Sequence, residues 1–251
     1  MVVEIPRWSN AKLEISSKLP FNPIVQDSKK GKLRYVANVF PFKGFLHTYG
    51  ALPQTWEDPN KVDQFTGYKG DNDPLDILEI GSGLFNSLTN NGFGPKPYTG
   101  QVKQVKILGC LGMIDEGETD WKILAIDTKD PLCEAFNDIG DVNNSFPTLV
   151  GHTRDWFKYY KVPDGKGINT FAFNGEAKNK EFAMKIIEDC HQSWVDLISQ
   201  KGSETSITLK NTTIKDSSGY NISFELSEEF VKVEEHSAQS LDKFHYISRN
   251  E

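Results

Sequence analysis

Three aspartates, Asp71, Asp73 and Asp76, fall within six residues around Pro74. The proline forbids helix there, so the carboxylates converge on extended or turning backbone. Crowded like charges demand a cation, and oxygen ligands without a neighbouring His or Cys select Mg, Mn or Ca over Zn. Taken alone, Gly70–Asp76 is as compatible with a solvated acidic turn as with a metal site. A second acidic cluster, Asp115, Glu116, Glu118 and Asp120, shifts that balance, because two clusters can share metals. A calcium loop fails in detail: counted from Asp71, the glycine position of an EF-hand is Asp76 and its bidentate glutamate position is Ser82.

Cations and hydroxyls occur in the turn-rich segments. Lys12 precedes Glu14 by two residues, Arg34 falls in an expected strand, and Tyr160-Lys161 precedes Pro163-Asp164-Gly165. Each alone reads more readily as a surface cation or a core tyrosine with a satisfied hydroxyl than as a ligand-binding group. GxxxxGK[ST], GxSxG and HExxH are absent from the sequence, which removes the signatures of nucleotide switching, serine hydrolysis and zinc proteolysis.

Groups of this kind need a packed scaffold, and 251 residues with 37% hydrophobic and 12% aromatic side chains can supply one core. The first half is cut by Pro20, Asn22-Pro23, Lys30-Gly31 and Phe40-Pro41 into short runs rich in aromatic and β-branched residues, which is a pattern of strands. Thr99–Leu108 and Trp121–Ile126 read as two more strands, with Asp115–Asp120 at a hairpin tip. Asp130-Pro131 predicts one helix start, and Ser145-Phe146-Pro147 another, the second helix ending near Tyr160. Ala183, Ile186, Ile187, Cys190, Trp194, Leu197 and Ile198 recur at helical spacing, predicting a helix over Asn179–Ser199. Strands first and helices later make an α+β class, mainly β. Gly81–Gly100 reads as an exposed loop excursion. Beyond residue 200 the chain turns polar and serine-rich, with weak alternation over Asn221–Val233; we divide it into a catalytic domain, 1–200, and a C-terminal appendage or partly ordered tail, 201–251.

The net charge of −7 disfavours nucleic acid and anionic membranes as partners, and makes a polyanionic substrate dependent on bound cations. No run of about 18 apolar residues is present, and the amino end lacks the apolar core of a signal peptide. Cys110, Cys133 and Cys190 form no CxxC pair, which fits a reducing compartment, and a cytoplasmic protein is expected.

Several ordered segments together carry a family resemblance. They are Val3–Glu14, Lys30–Tyr35, Tyr49–Pro59, Gly70–Glu79, Asp115–Lys122, Tyr160–Lys166 and Gly175–Lys180. Across Val2–Ser199 the chain resembles soluble inorganic pyrophosphatases of the magnesium-dependent type, particularly their eukaryotic branch. That resemblance implies an OB-like five-stranded β-barrel with flanking α-helices, and hydrolysis of pyrophosphate to two orthophosphates by direct attack of a metal-activated water. Eukaryotic members generally carry an extension before the first motif, whereas here Met1 falls almost at Glu4, so closure of the barrel at the amino end is the least specified part of the expectation.

Carried over motif by motif, the resemblance makes Asp71, Asp76, Asp115 and Asp120 direct metal ligands, with Glu14 and Glu4 in support. Asp73 holds the attacking water and accepts its proton. Lys12, Arg34, Tyr49, Lys122, Tyr160 and Lys161 bind the phosphoryl groups. Several Mg ions per site are implied, with Mn or another divalent ion able to substitute. Eukaryotic relatives pair as homodimers, and Arg7 and Trp8 match residues at that contact. An OB-type module that binds but has lost catalysis is the competing reading; release of phosphate separates the two.

Overall fold

The computed structural model describes residues 1–82, 96–199, 206–223 and 241–248. Its strands are β1 (Val2–Ile5), β2 (Leu13–Ile15), β3 (Ile24–Gln26), β4 (Ser28–Lys29), β5 (Lys32–Leu33), β6 (Asn38–Val39), β7 (Thr48–Ala51), β8 (Lys69–Gly70), β9 (Asp76–Glu79), β10 (Val105–Asp115) and β11 (Glu118–Asp127). Helices α1 (Ile139–Ser145) and α2 (Leu149–Tyr159) follow, then β12 (Thr170–Phe171), β13 (Lys178–Asn179), α3 (Lys180–Ser199) and β14 (Phe244–His245).

The central sheet runs β1-β7-β9-β11-β10-β12, with β13 on β10 and β8 on β11. Its neighbours are antiparallel except at β11, which pairs in parallel with β9 and β8. An antiparallel bridge from Val2 to Val102, with hydrogen bonds from Val3 N to the Gln101 carbonyl and from Lys103 N to that of Met1, both 2.9 Å, ties β1 to the segment entering β10. No further ladder closes the sheet among the described residues. The fold is mainly β with few helices.

Alternation along β11 explains both faces of the sheet. Leu124 and Ile126 point into a core with Tyr49, Leu78, Leu111, Met113, Trp156 and Phe157, under α1 and α2. Trp121, Ile123 and Ala125 point into the opposite core with Val3, Leu75, Ile77, Ala183 and Ile186, under α3. Each such fully buried aliphatic chain contributes about 1.5–3 kcal/mol of transfer free energy.

The expected helix over Asn179–Ser199 is found over Lys180–Ser199, and the one ending near Tyr160 is α2. Three local expectations need correction. Residues 131–135 form turns rather than a helix, because the Lys106 ammonium takes the Cys133 and Phe136 carbonyls and the Asp130 carboxylate is shared with Ser82. Ser145 ends α1 instead of capping α2, whose cap position, Thr148, makes no side-chain bond. The strand predicted from Thr99 begins at Val105, and the hairpin turn is only Glu116-Gly117, with φ of 50° and 89°; Asp120 lies inside β11. A two-residue turn with both φ positive matches the twist of paired strands.

Residues 83–95 of the expected Gly81–Gly100 loop, and the part of Asn221–Val233 from 224 onward, lie outside the described residues. What is described beyond residue 200 packs on the rest: Thr208 N donates to the Ser17 carbonyl at 2.8 Å, and β14 pairs in parallel with β6.

Gly50 faces Val3 across the β1/β7 ladder, and a Cβ there would sit 2.0 Å from the Val2 carbonyl oxygen. Backbone cannot yield as a side chain can. Gly50→Ala is expected to loosen β1 at a cost of about 3–5 kcal/mol, each kcal/mol lowering the thermal midpoint by about 2–4 °C. Calorimetry checks this; an unchanged midpoint contradicts the close approach.

Candidate active site

The acidic turn is fixed from behind before any ligand is considered. Asn72 N donates to the Glu57 carbonyl and Glu57 N to the Asp73 carbonyl, each at 2.9 Å, and Gly70 N reaches the Asp58 carbonyl at 3.2 Å. Gly70 lies so close that a Cβ would fall 2.4 Å from the Glu57 carbonyl oxygen. Asn72 takes a left-handed φ of 74°, which asparagine tolerates, and its side chain accepts from Trp56 Nε1 at 3.1 Å. Asp71 then accepts from Asp73 N at 3.0 Å, closing a local turn.

The strands bring the remaining groups to the same place. Asp115 continues the face of Leu111 and Met113 on β10; Asp120 and Lys122 continue that of Leu124 on β11; Asp76 pairs in register with Lys122. A register shift between Val3 and Ile5 marks a β-bulge in β1 that re-aims Glu4, whose Oε1 accepts from Ile15 N at 2.6 Å. Lys12 and Glu14 belong to the β2 segment; Arg34 follows β5 rather than lying in a strand; Tyr49 is in β7; Tyr160 and Lys161 follow α2. All thirteen residues expected from the sequence line one cavity of about 190 Å³.

Charges within it are paired internally. The Lys122 ammonium donates to both Asp76 and Asp120 and is 1% exposed. Tyr49 also donates to Asp76, Lys161 donates to Asp115 at 2.5 Å, and Lys12 to Glu14 at 3.1 Å. Arg34 donates to Asp27, which does not line the cavity.

Burial and like charges force the carboxyls upward. Asp73 is pushed up to about 6 by burial, then by Asp76 and Glu14. Asp120 reaches about 7 because burial and Asp76 outweigh Lys122. Glu4 is raised to about 8 by burial and Asp76, against the Ile15 amide. Asp71 is held well above the usual range by burial, Asp120 and Asp73. Burial opposes the charge of Lys122, but Asp120 and Asp76 prevail and hold it well above its ordinary value.

Glu57 was not singled out in the sequence. It is 3% exposed, accepts from Trp121 N at 3.0 Å through Oε1, and leaves buried Oε2 without a partner. Its carboxylate groups with Asp71 and Asp120, ligand atoms lying within 4.8 Å of one another. Burial, then Asp71 and Asp120, hold it well above the ordinary range. Its signal was available as a carboxylate between Trp56 and Asp58-Pro59 in a family-like segment, but a lone Glu in a loop has no spacing to mark it. Asp115 Oδ1 is likewise buried and unpartnered. An all-oxygen donor set with two buried unpartnered oxygens fits hard divalent cations.

Crowded carboxylates interleaved with cations and hydroxyls in one cavity are the arrangement of a metal-dependent hydrolase of phosphate anhydrides. The family model for inorganic pyrophosphatase matches residues 1–195. Inorganic pyrophosphatase of Yarrowia lipolytica is 51% identical over 249 residues, spanning 99% of this chain and 83% of that protein. The solved inorganic pyrophosphatase of Schistosoma japonicum aligns with a TM-score of 0.87 at 49% identity, covering 98% of this chain and 85% of that one. N-terminally truncated vacuolar soluble pyrophosphatase of Trypanosoma cruzi, solved in complex with PPi, gives 0.69 at 43% identity over 78% of this chain and 68% of its own. The chain belongs to the inorganic pyrophosphatase family and hydrolyses pyrophosphate to orthophosphate. No helix among the described residues is long and apolar enough to cross a membrane.

The raised carboxyls give a sign for stability. Unfolded, they ionise near their ordinary values of 3.8 and 4.5; folded, Asp73, Asp120 and Glu4 keep their protons up to about 6, 7 and 8. The folded chain therefore binds more protons in that window, and its stability falls as pH rises through it. In chelator the thermal midpoint is expected to drop between about pH 5 and about pH 8, and Mg to restore it at the upper pH. A midpoint that climbs over that range without metal contradicts the crowding.

Proposed function

We propose that this cavity hydrolyses pyrophosphate with Mg ions held by Asp71, Asp76, Asp115 and Asp120, Glu4 and Glu14 assisting; Mn or another divalent ion can substitute. One observation carries the reading: thirteen side chains spread from Glu4 to Lys161 line a single cavity. Bound there, divalent cations supply charge that acidifies a water and neutralises phosphate oxygens. Glu57 joins the ligand set through its free Oε2, beside Asp71 and Asp120.

Asp73 accepts the proton of the attacking water at its carboxylate. Its value of about 6 lies close to neutrality, where a general base is most effective. Lys12, Arg34, Tyr49, Lys122, Tyr160 and Lys161 hold the two phosphoryl groups. Tyr49 and Tyr160 are kept protonated, burial and the surrounding carboxylates raising both well above 10.0, so each donates a hydrogen bond to a phosphate oxygen. The positive groups offset charge spreading over the transferred phosphoryl and the leaving phosphate, so no covalent intermediate is required.

The family's architecture extends the reading. We assign the β1-β7-β9-β11-β10 strands to an OB-like five-stranded barrel, supported by the Val2–Val102 bridge. Residues 1–200 form the catalytic unit and 201–251 an appendage, whose described stretches 206–223 and 241–248 pack on it, in a cytoplasmic enzyme. A homodimer is supported by Trp8, 44% exposed; Arg7 is instead buried and donates inward to the Glu79 and Gly81 carbonyls.

Asp73→Asn is expected to lower kcat by about 100-fold or more, and chelation to abolish release of phosphate. Phosphate-release assays decide both; robust turnover with metal fully chelated sinks the mechanism. Light scattering is expected to give twice the 28.3 kDa chain mass. A monomer at working concentration refutes the dimer.

A further inference from the structure

Four cationic side chains line the catalytic cavity: Lys12, Arg34, Lys122 and Lys161. Three are bonded to carboxylates of that same cavity, namely Glu14, Asp76 with Asp120, and Asp115. A carboxylate that ligates a metal shares its oxygens between the metal and its lysine, so on the proposed ligand set the hold on these three cations changes with metal loading. Arg34 is different, because its guanidinium Nη1 donates to Asp27, a residue outside the cavity lining.

Asp27 joins β3 to β4 and is bonded to both cation-bearing segments. Its N–H donates to the Lys12 carbonyl and its carbonyl accepts from Arg34 N, each at 2.8 Å. The Arg34 carbonyl in turn accepts from Lys12 N at 3.1 Å and from Gln26 Nε2 at 2.9 Å. The small hairpin of β4 and β5 is thus closed at its base by Asp27 and Arg34, through backbone and side chain together. The charged groups that act most strongly on Arg34 are anionic: Asp27, Asp164 and Glu14. Glu14 lines the cavity, so a guanidinium freed from Asp27 has competing carboxylates to turn to. Arginine also carries much rotamer freedom, and its planar fork binds phosphate well only when already oriented. With Nη1 committed to Asp27, the remaining N–H groups of the fork stay available.

We propose that Asp27 is a positioning residue: it fixes Arg34 before substrate arrives and keeps it off Glu14 and Asp164, so that one phosphate contact is preformed whether or not metal is bound. The inference rests on the reading that Arg34 binds a phosphoryl group. It predicts an effect on substrate affinity that travels through Arg34, leaves the Mg requirement alone, and is separable from a general loosening of the hairpin.

The test is a double-mutant cycle on the full chain, with pyrophosphate hydrolysis assayed at saturating Mg for Asp27→Ala, Arg34→Ala and the double variant. Asp27→Ala is expected to raise KM about tenfold with a smaller fall in kcat, and to add nothing in the Arg34→Ala background. Asp27→Asn keeps an acceptor without the charge and is expected to raise KM about threefold, also only when Arg34 is present; it decides the matter if Asp27→Ala does not fold. The Mg concentration for half-maximal rate should stay within about twofold of wild type. Equal losses in both backgrounds, an unchanged KM in both Asp27 variants, or a shifted Mg requirement overturns the proposal. An inactive wild-type chain would instead overturn the catalytic reading on which it rests, and a normal KM in Arg34→Ala would remove Arg34 from that reading.

Discussion

Mutual repulsion of carboxylates is the constraint on which this structure turns. Seven acidic side chains, Glu4, Glu14, Asp71, Asp73, Asp76, Asp115 and Asp120, line one small cavity, and Glu57 stands behind Asp71 and Asp120. Buried charges without compensation are too costly to keep, so they shift their proton affinity or find cations. Both responses are present: Asp71, Asp73, Asp120, Glu4 and Glu57 titrate high, while Lys122 stands between Asp76 and Asp120. The lysines therefore balance the carboxylates that surround them.

Holding like charges together requires stiffness, and the fold supplies it in the places where backbone is least free. The acidic turn is backed by the main chain of Glu57 and Asp58, with no room for a side chain at Gly70. Asp115, Asp120 and Lys122 ride on the longest hairpin, whose strands are anchored by buried residues on both faces. Repulsion at its tip end must then work against a sheet packed on two sides, rather than against a loop. Lysines at the tip complete the balance, with Lys166 on Glu116 at 2.5 Å.

Much of this was legible in the sequence, for reasons that differ by element. The periodic stripe from Ala183 to Leu197 predicted α3 because one-sided burial leaves a 3.6-residue pattern. The site residues came from ordered motifs, since spacing alone left Gly70–Asp76 undecided between a charged turn and a metal site. Proline next to a capping residue misled at Asp130, whose carboxylate is spent on Ser82 as well as Leu132. That competition is tertiary and leaves no local trace. The hairpin tip misled in the opposite way: acidic residues suggested a loop through Asp120, yet Asp120 is buried inside a strand, where a neighbouring cation and a raised proton affinity make a carboxylate tolerable. Glu57 was missed for the same kind of reason, its partners being Trp121, Asp71 and Asp120.

The chain beyond residue 200 bears on the side of the cavity that carries Lys12 and Arg34 through one buried amide. Asn38 is 1% exposed; its Oδ1 accepts from Asn10 Nδ2 at 2.8 Å and from Gly44 N at 2.9 Å, and its Nδ2 donates to the Leu241 carbonyl at 2.6 Å. Asn10 also donates to the Val36 carbonyl at 2.8 Å, and its own carbonyl accepts from Val36 N at 2.7 Å, locking together the two segments that carry Lys12 and Arg34. A buried amide donor left without its acceptor costs about 1–3 kcal/mol. Stacking of Phe40 on Tyr246, ring centroids 5.2 Å apart, holds the same strand in place. Polar satisfaction of a core asparagine is thus what makes residues 241–248 part of the scaffold that positions Lys12 and Arg34.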